Sequence, residues 1–288
     1  SNIWVCGIGS NGRLGGSNGV QTNFEPLKDF SETAQSISVA QDHTLIVTTS
    51  GAVYSFGLNR FSQLGYPLEE GLGIVAASNA ASKGGGAASA TFGAAPSSRA
   101  QAAELDTQIS PRKLAGPLKK ENVLGVAASK MHSAAFTSEG LYTWGTNIGQ
   151  LGYDRGATPV QVVPRKVTTI SQEIKQIAAT DFATACLFTN WDVIVLHNDT
   201  MHRVQFPLNR FRSGISANIF RPQQAHPEPV IKKITSSGTT FGVISDTDLY
   251  TFSLDHPSEY SKSGSGSSLK TITPKPQLVW SMRKKFTA

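Results

Sequence analysis

The stretch LYTWGTNIGQLG, Leu141 to Gly152, sets an aromatic strand before a glycine, an Asn-containing turn and a closing Gln-Leu-Gly. If it occurred once it could surround a phosphate or a catalytic group; if it recurs, it is scaffold. AVYSFGLNRFSQLG at Ala52 to Gly65 and NIWVCGIGSNGRLG at Asn2 to Gly15 are copies of it. Three copies of strand, Gly, short Asn-containing segment and Leu-Gly mark a repeat architecture.

Each of the two later copies has its own prelude. SVAQDHTLIV, Ser38 to Val47, leads to the Gly57 copy as GVAASKMHSAAF, Gly125 to Phe136, leads to the Gly145 copy. The unit is therefore a small-residue strand, a His-Thr/Ser step, an apolar strand, a Gly turn and an aromatic strand ending in Gly. Weaker copies follow at IAATDFATACL (Ile177 to Leu187) before Val193 to Leu196, and at Ile234 to Ser237 with Phe241 to Ile244 before Leu249 to Phe252.

Gly7 and Gly57 stand 50 residues apart, and Leu196, read as taking the glycine's place, lies 51 beyond Gly145. Gly57 to Gly145 is 88, and the surplus of about 38 falls in 69–108, an Ala/Gly/Ser-rich segment with few large side chains to bury. It reads as a low-complexity insertion looping out of one repeat. A period near 50 with four short strands per unit predicts an all-β fold, a β-propeller whose sheets surround a central channel. The units run over 1–30, 31–68, 109–160, 161–228 and 229–260, with a last partial blade at 261–288 beginning a sixth copy at Gln277 to Trp280. Together they form a single domain. Small residues such as Ala127, Ala128, Ala178 and Ala179 suit the crowded inner strand, and Tyr54/Phe56 and Tyr142/Trp144 supply bulk between sheets.

The 288 residues can bury a substantial core. With 39% hydrophobic and only 16% charged residues, 27 Gly and 14 Pro, the composition suits strands and turns and predicts little helix. The formal charge of +6 is dispersed over pairs such as Arg112/Lys113, Lys119/Lys120 and Lys232/Lys233, which disfavours nucleic acid as a partner. Two cysteines, Cys6 and Cys186, make no disulfide framework, so a reducing compartment, cytoplasmic or nuclear, is expected. The absence of an apolar run of membrane-spanning length argues against a membrane protein. Opening at Ser1 and entering a strand almost at once, the chain reads as a piece of something longer, either a complete small ring or a larger one lacking its first blade.

These residues also carry a resemblance. The Tyr-x-Trp/Phe-Gly-x-Asn-x(2,3)-Gln-Leu-Gly unit with its His-Ser/Thr strand resembles the repeat of the regulator of chromosome condensation superfamily, which implies a seven-bladed propeller when complete. Within it, the order of copies is similar to the inhibitor of Bruton's tyrosine kinase family, down to Ala183-Thr184 in place of His-Thr. That resemblance implies a propeller flanked by ankyrin repeats and BTB domains, the latter dimerising and recruiting a cullin from outside this chain. The expected role is a non-enzymatic substrate-binding or regulatory part of a cullin-RING ubiquitin ligase adaptor, binding a protein substrate or regulator. A guanine-nucleotide exchange or chromatin module is the alternative.

No chemistry is expected from the repeated residues. His43 and His132 hold equivalent positions in different units and read as buried rings bonded to a neighbouring strand or loop, while Asp42 and Asp181 read as turn caps. Gly7, Gly57 and Gly145 allow the exit from the aromatic strand, Gly15, Gly65 and Gly152 close each unit, and Trp144 packs between sheets. The histidines lack metal-ligand spacing, Gly84-Gly85-Gly86 has no following strand and helix for a phosphate, and no nucleophile elbow occurs. No catalytic, metal or cofactor site is therefore assigned. Binding should come from positions where copies disagree: Arg13, Arg60, Phe61 and Ile148 in the repeated loop, and Arg210, Phe211, Arg212 and Arg221 in the weak region.

Overall fold

The structure, a computed structural model, describes residues 3–16, 19–68, 106–207, 230–257 and 273–281. Its strands are β1 (Trp4–Ile8) and β2 (Val20–Pro26), which form a two-stranded sheet, followed by four four-stranded antiparallel sheets. These are β3 (Ala34–Val39), β4 (His43–Thr48), β5 (Val53–Leu58) and β6 (Thr107–Lys113); then β7 (Gly125–Ala128), β8 (His132–Thr137), β9 (Gly140–Thr146) and β10 (Val160–Lys166). After them come β11 (Ile174–Ala179), β12 (Thr184–Phe188), β13 (Val193–His197) and β14 (Thr200–Arg203), and last β15 (Ile231–Ser237), β16 (Thr240–Ser245), β17 (Asp248–Ser253) and β18 (Gln277–Ser281). Helix among the described residues is confined to two short 3-10 turns, Ser10–Gly12 and Gly116–Lys120, and no described helix is long and apolar enough to cross a membrane.

The first strands of successive sheets, β3, β7, β11 and β15, lie side by side and line a channel of about 500 Å³. Crowding there explains the alanines: Ala127, Ala178 and Ala179 are buried on the inner strands. Between the first two four-stranded sheets, Leu45, Val47, Val53 and Leu64 of one meet Ala135, Tyr142 and Trp144 of the next. Trp144 is wholly buried, and an indole of that size removes enough surface from water to contribute about 4–6 kcal/mol before the entropy of ordering it is deducted. The four-stranded sheets set side by side around this channel are the blades of a β-propeller, as the period of the repeat predicts.

Sheets and sequence units are out of phase. The fourth strand of the β3–β5 sheet is β6, which takes in Thr107 and Gln108, the last two residues of the expected insertion, while 69–105 of that segment lies outside the described residues. Gln277–Ser281 begins no sixth copy: it pairs with β17 as the fourth strand of that sheet. The place of Gly57 and Gly145, opposite His43 and His132, is filled in the third four-stranded sheet by His197, one residue later than Leu196. Leu196 instead pairs with Thr184, as Trp144 pairs with Ser133. The apolar run masked this offset because it has no glycine to align on.

Candidate functional site

Because strands alternate in direction within each sheet, the loop from first to second strand and the loop from third to fourth emerge at the same end of the molecule. Arg13, Arg60, Phe61 and Ile148 all lie in third-to-fourth loops, or in their counterpart between β1 and β2, so the topology brings them to one face. Arg210, Phe211, Arg212 and Arg221 lie outside the described residues.

The loops on this face are built by side chains that hold their own backbone. Asn59 Oδ1 accepts the Leu64 N–H at 2.9 Å while its Nδ2 donates to the Tyr66 carbonyl; Asn147 does the same with the Gly149 N–H and the Tyr153 carbonyl. Gln63 and Gln150 accept the N–H groups of Phe61 and Ile148 at 2.8 and 2.7 Å. A loop with its polar backbone satisfied in this way presents its remaining side chains at little further conformational cost.

Beneath the loops, the repeated residues join one sheet to the next. His43 Nε2 lies 2.8 Å from Ser133 Oγ, and that hydroxyl donates to the Gln63 carbonyl at 2.8 Å, leaving it to accept from His43. The Trp144 indole N–H reaches the same carbonyl at 2.8 Å. One step further round, His132 Nε2 meets Thr184 Oγ1 at 2.8 Å. Burial pushes the pKa of both imidazoles down to about 3, so both are neutral. At Ala183 the series ends, and the imidazole of the next sheet appears across the strand pair as His197, whose Nε2 lies 3.0 Å from the Asp255 carbonyl.

Two of the sequence-assigned arginines are held in ion pairs. Arg13 Nη2 meets Asp42 Oδ1 at 3.0 Å and its Nε donates to the Ser10 carbonyl, so Asp42 ties the β1–β2 loop to the next sheet. Asn11 Nδ2 adds a bond to the same carboxylate at 3.1 Å. Arg60 faces Asp106 at 3.5 Å with both groups nearly half exposed, an arrangement worth little in water. Phe61 and Ile148 are half-buried.

Sequence reasoning missed the first-to-second loops, which share this face. Gln41, Lys130, Asp181 and Gly238 are equivalent there and line the channel mouth, and Asp42, Met131, Phe182 and Thr239 follow them in turn. Met131 and Phe182 are half-buried, and Lys130 is exposed. The signal was present, since the copies disagree most at these positions, but the fixed His-Ser/Thr step beside them drew attention to the scaffold. Small side chains, Ala, Ser, Thr and Gly, make up more than half of the channel's lining residues.

A model of the regulator of chromosome condensation repeat matches residues 35–63. The chain is 28% identical over 278 residues to BTB/POZ domain-containing protein 1 of Schizosaccharomyces pombe, covering 95% of this chain and 18% of that protein. It is 31% identical over 202 residues to the inhibitor of Bruton tyrosine kinase of Mus musculus, covering 67% of this chain and 12% of that protein. Among solved structures, Prp20p of Saccharomyces cerevisiae, a protein studied for its binding to Gsp1p and histones, superposes with a TM-score of 0.58 at 20% identity, over 96% of this chain and 58% of that one. The chain spans less than a fifth of the length of the two curated relatives described here.

Proposed function

Because this chain is a propeller of regulator of chromosome condensation repeats that resembles the inhibitor of Bruton tyrosine kinase, we propose that it is a non-enzymatic protein-interaction scaffold. In this reading it is the substrate-binding or regulatory propeller of a cullin-RING ubiquitin ligase adaptor, working in the cytoplasm or nucleus. The unit is one propeller domain interrupted by an insertion that begins at 69 and ends before β6, and the cullin is engaged by BTB domains elsewhere in the protein.

The observation that carries the reading is the composition of one face. Phe61, Met131, Ile148 and Phe182 come from three successive sheets and stand half-buried on the face that carries the channel mouth, and Phe61 and Ile148 ride on loops whose backbones are already hydrogen-bonded. Apolar groups on loops already held in place are what a protein partner buries with least loss of entropy. Arg210, Phe211, Arg212 and Arg221 are candidates for extending this surface.

The test uses the full-length protein carrying Phe61→Glu and Phe182→Glu, with the cullin and captured partners quantified together. Loss of a partner and of its ubiquitination, with cullin binding kept, is the expected result. Retention of every partner and of its ubiquitination overturns the scaffold face. Stimulated nucleotide release from a small GTPase would instead favour the exchange reading.

A further inference from the structure

On the opposite end of the molecule, the turn from β12 to β13 places a tryptophan where another sheet has glycine. In the β4–β5 turn, Gly51 N–H donates to the Thr48 carbonyl at 2.9 Å, Thr48 N–H donates to the Ala52 carbonyl at 2.9 Å, and Gly51 has φ +77°. In the β12–β13 turn, Trp191 N–H donates to the Phe188 carbonyl at 3.0 Å, Phe188 N–H donates to the Asp192 carbonyl at 2.9 Å, and Trp191 has φ +72°. The bonding is the same, and only the residue differs. Left-handed backbone is strained for a bulky residue and free of strain for glycine, so the fold alone does not account for an indole here.

Trp191 is 38% exposed, and two cations stand over its ring. Lys175 Nζ of β11 lies 4.3 Å and Lys232 Nζ of β15 lies 5.1 Å from the ring centroid, so the indole sits at the seam between two sheets. Two nearby carboxylates have partners: Asp192 takes Arg203 at 2.7 Å and Asp246 takes Lys232 at 3.2 Å. Lys175 has no ion pair among the described residues, and Lys233, next in sequence to Lys232, is exposed.

We propose that Trp191, flanked by Lys175 and Lys232, anchors an acidic segment of a partner protein on the face opposite the loop rim. A carboxylate that reaches either ammonium lies against the indole, so an aliphatic neighbour on the same segment packs on the ring edge. The ring holds lysines that would otherwise lose their rotamer freedom on binding. Charge complementarity selects an acidic occupant. The interspersed carboxylates of Glu173, Asp192 and Asp246 break the continuous cationic track that a nucleic acid backbone needs, which selects a protein. This surface is separate from the rim, so its test stands whatever the rim binds.

The probe is a fluorescein-labelled peptide of alternating Glu and Leu, followed by anisotropy, with a Gln and Leu peptide as the uncharged control. Saturable, salt-weakened binding of the acidic peptide alone is expected, reduced at least roughly tenfold in Trp191→Gly, whose melting temperature stays level or rises as the turn is relieved of strain. Lys175→Glu, an exposed change on a strand, is expected to weaken binding similarly while leaving the residues of the turn unchanged. The anchor is overturned by equal binding of the two peptides, by unchanged affinity in either variant, or by a fall in the melting temperature of Trp191→Gly, which would make the ring a structural staple. Tighter binding of a single-stranded DNA oligonucleotide than of the acidic peptide at the same salt overturns it in favour of nucleic acid.

Discussion

His43 and His132 look interchangeable in the sequence, yet one is fully bonded and the other is not. Ser129 Oγ lies 2.7 Å from His132 Nδ1, while the equivalent position before His43 is Ala40 and His43 Nδ1 is buried with no partner. A buried acceptor left bare costs about 1–3 kcal/mol, of which a new bond recovers about 1. Ala40→Ser is therefore expected to raise the urea midpoint by the equivalent of about 1 kcal/mol, and no change would mean that the hydroxyl does not reach the ring. Both imidazoles also make stability depend on pH. Their folded pKa near 3 lies below the ordinary 6.5, so the unfolded chain takes up protons first as pH falls. Their contribution is complete above pH 6.5 and is lost progressively toward pH 3, by about 2 kcal/mol per ring at pH 5. Urea titrations at pH 7.5 and 5 should show this loss, and His132→Asn should show about half of it.

The aromatic strand and its glycine test how a strand end is made. Gly145 has φ +115°, and a Cβ there would meet the Met131 carbonyl oxygen at 2.5 Å and His132 Cα at 2.6 Å. Gly7 has nearly the same φ, +118°, but nothing within 4 Å of the same position. Gly7→Ala should therefore cost only the dihedral, about 1–2 kcal/mol, and Gly145→Ala clearly more, because the neighbouring strand must move. Equal losses in chemical denaturation would show that the close approach to the His strand contributes nothing. The strand pattern was legible because apolar alternation and the Gly-Asn-Leu-Gly punctuation recur with a fixed period. Pairing was less legible: β6 and β18 join their sheets across long intervals, and no local pattern states which edge a strand will find. His197 was missed for a related reason, since register depends on the partner strand as well as on the strand itself.

Seen as an arc of sheets, the molecule explains why half of the candidate surface was readable. Arg13, Arg60, Phe61 and Ile148 share a face because all occupy one kind of loop, which a repeat alignment reveals. Whether each is available depends on neighbours distant in sequence, as Asp42 is for Arg13, and Trp191 became visible only when its φ was set beside that of Gly51. The same arrangement sets the order in which the fold opens. In a structure stacked from repeats, stability is close to a sum over neighbouring interfaces. Between β1–β2 and the next sheet, the shared cluster has Leu27, Ile46 and Phe56 as its buried members among the described residues, whereas the later interfaces bury sets as large as that around Trp144 or Phe241. Trp4, Ile8, Val20 and Phe24 of the two-stranded sheet remain exposed. The β1–β2 sheet is therefore the first to detach, tethered mainly by the Arg13–Asp42 pair and the Leu27 and Phe56 contacts. Native-state hydrogen exchange should find the amides of β1 and β2 exchanging through an opening less costly than that of β8, β9, β12 and β13. Asp42→Asn should lower it further and leave those four strands unchanged. If all of these strands instead exchanged with a single free energy, the sheets would be opening together, and a nearest-neighbour account of this arc would have to be abandoned.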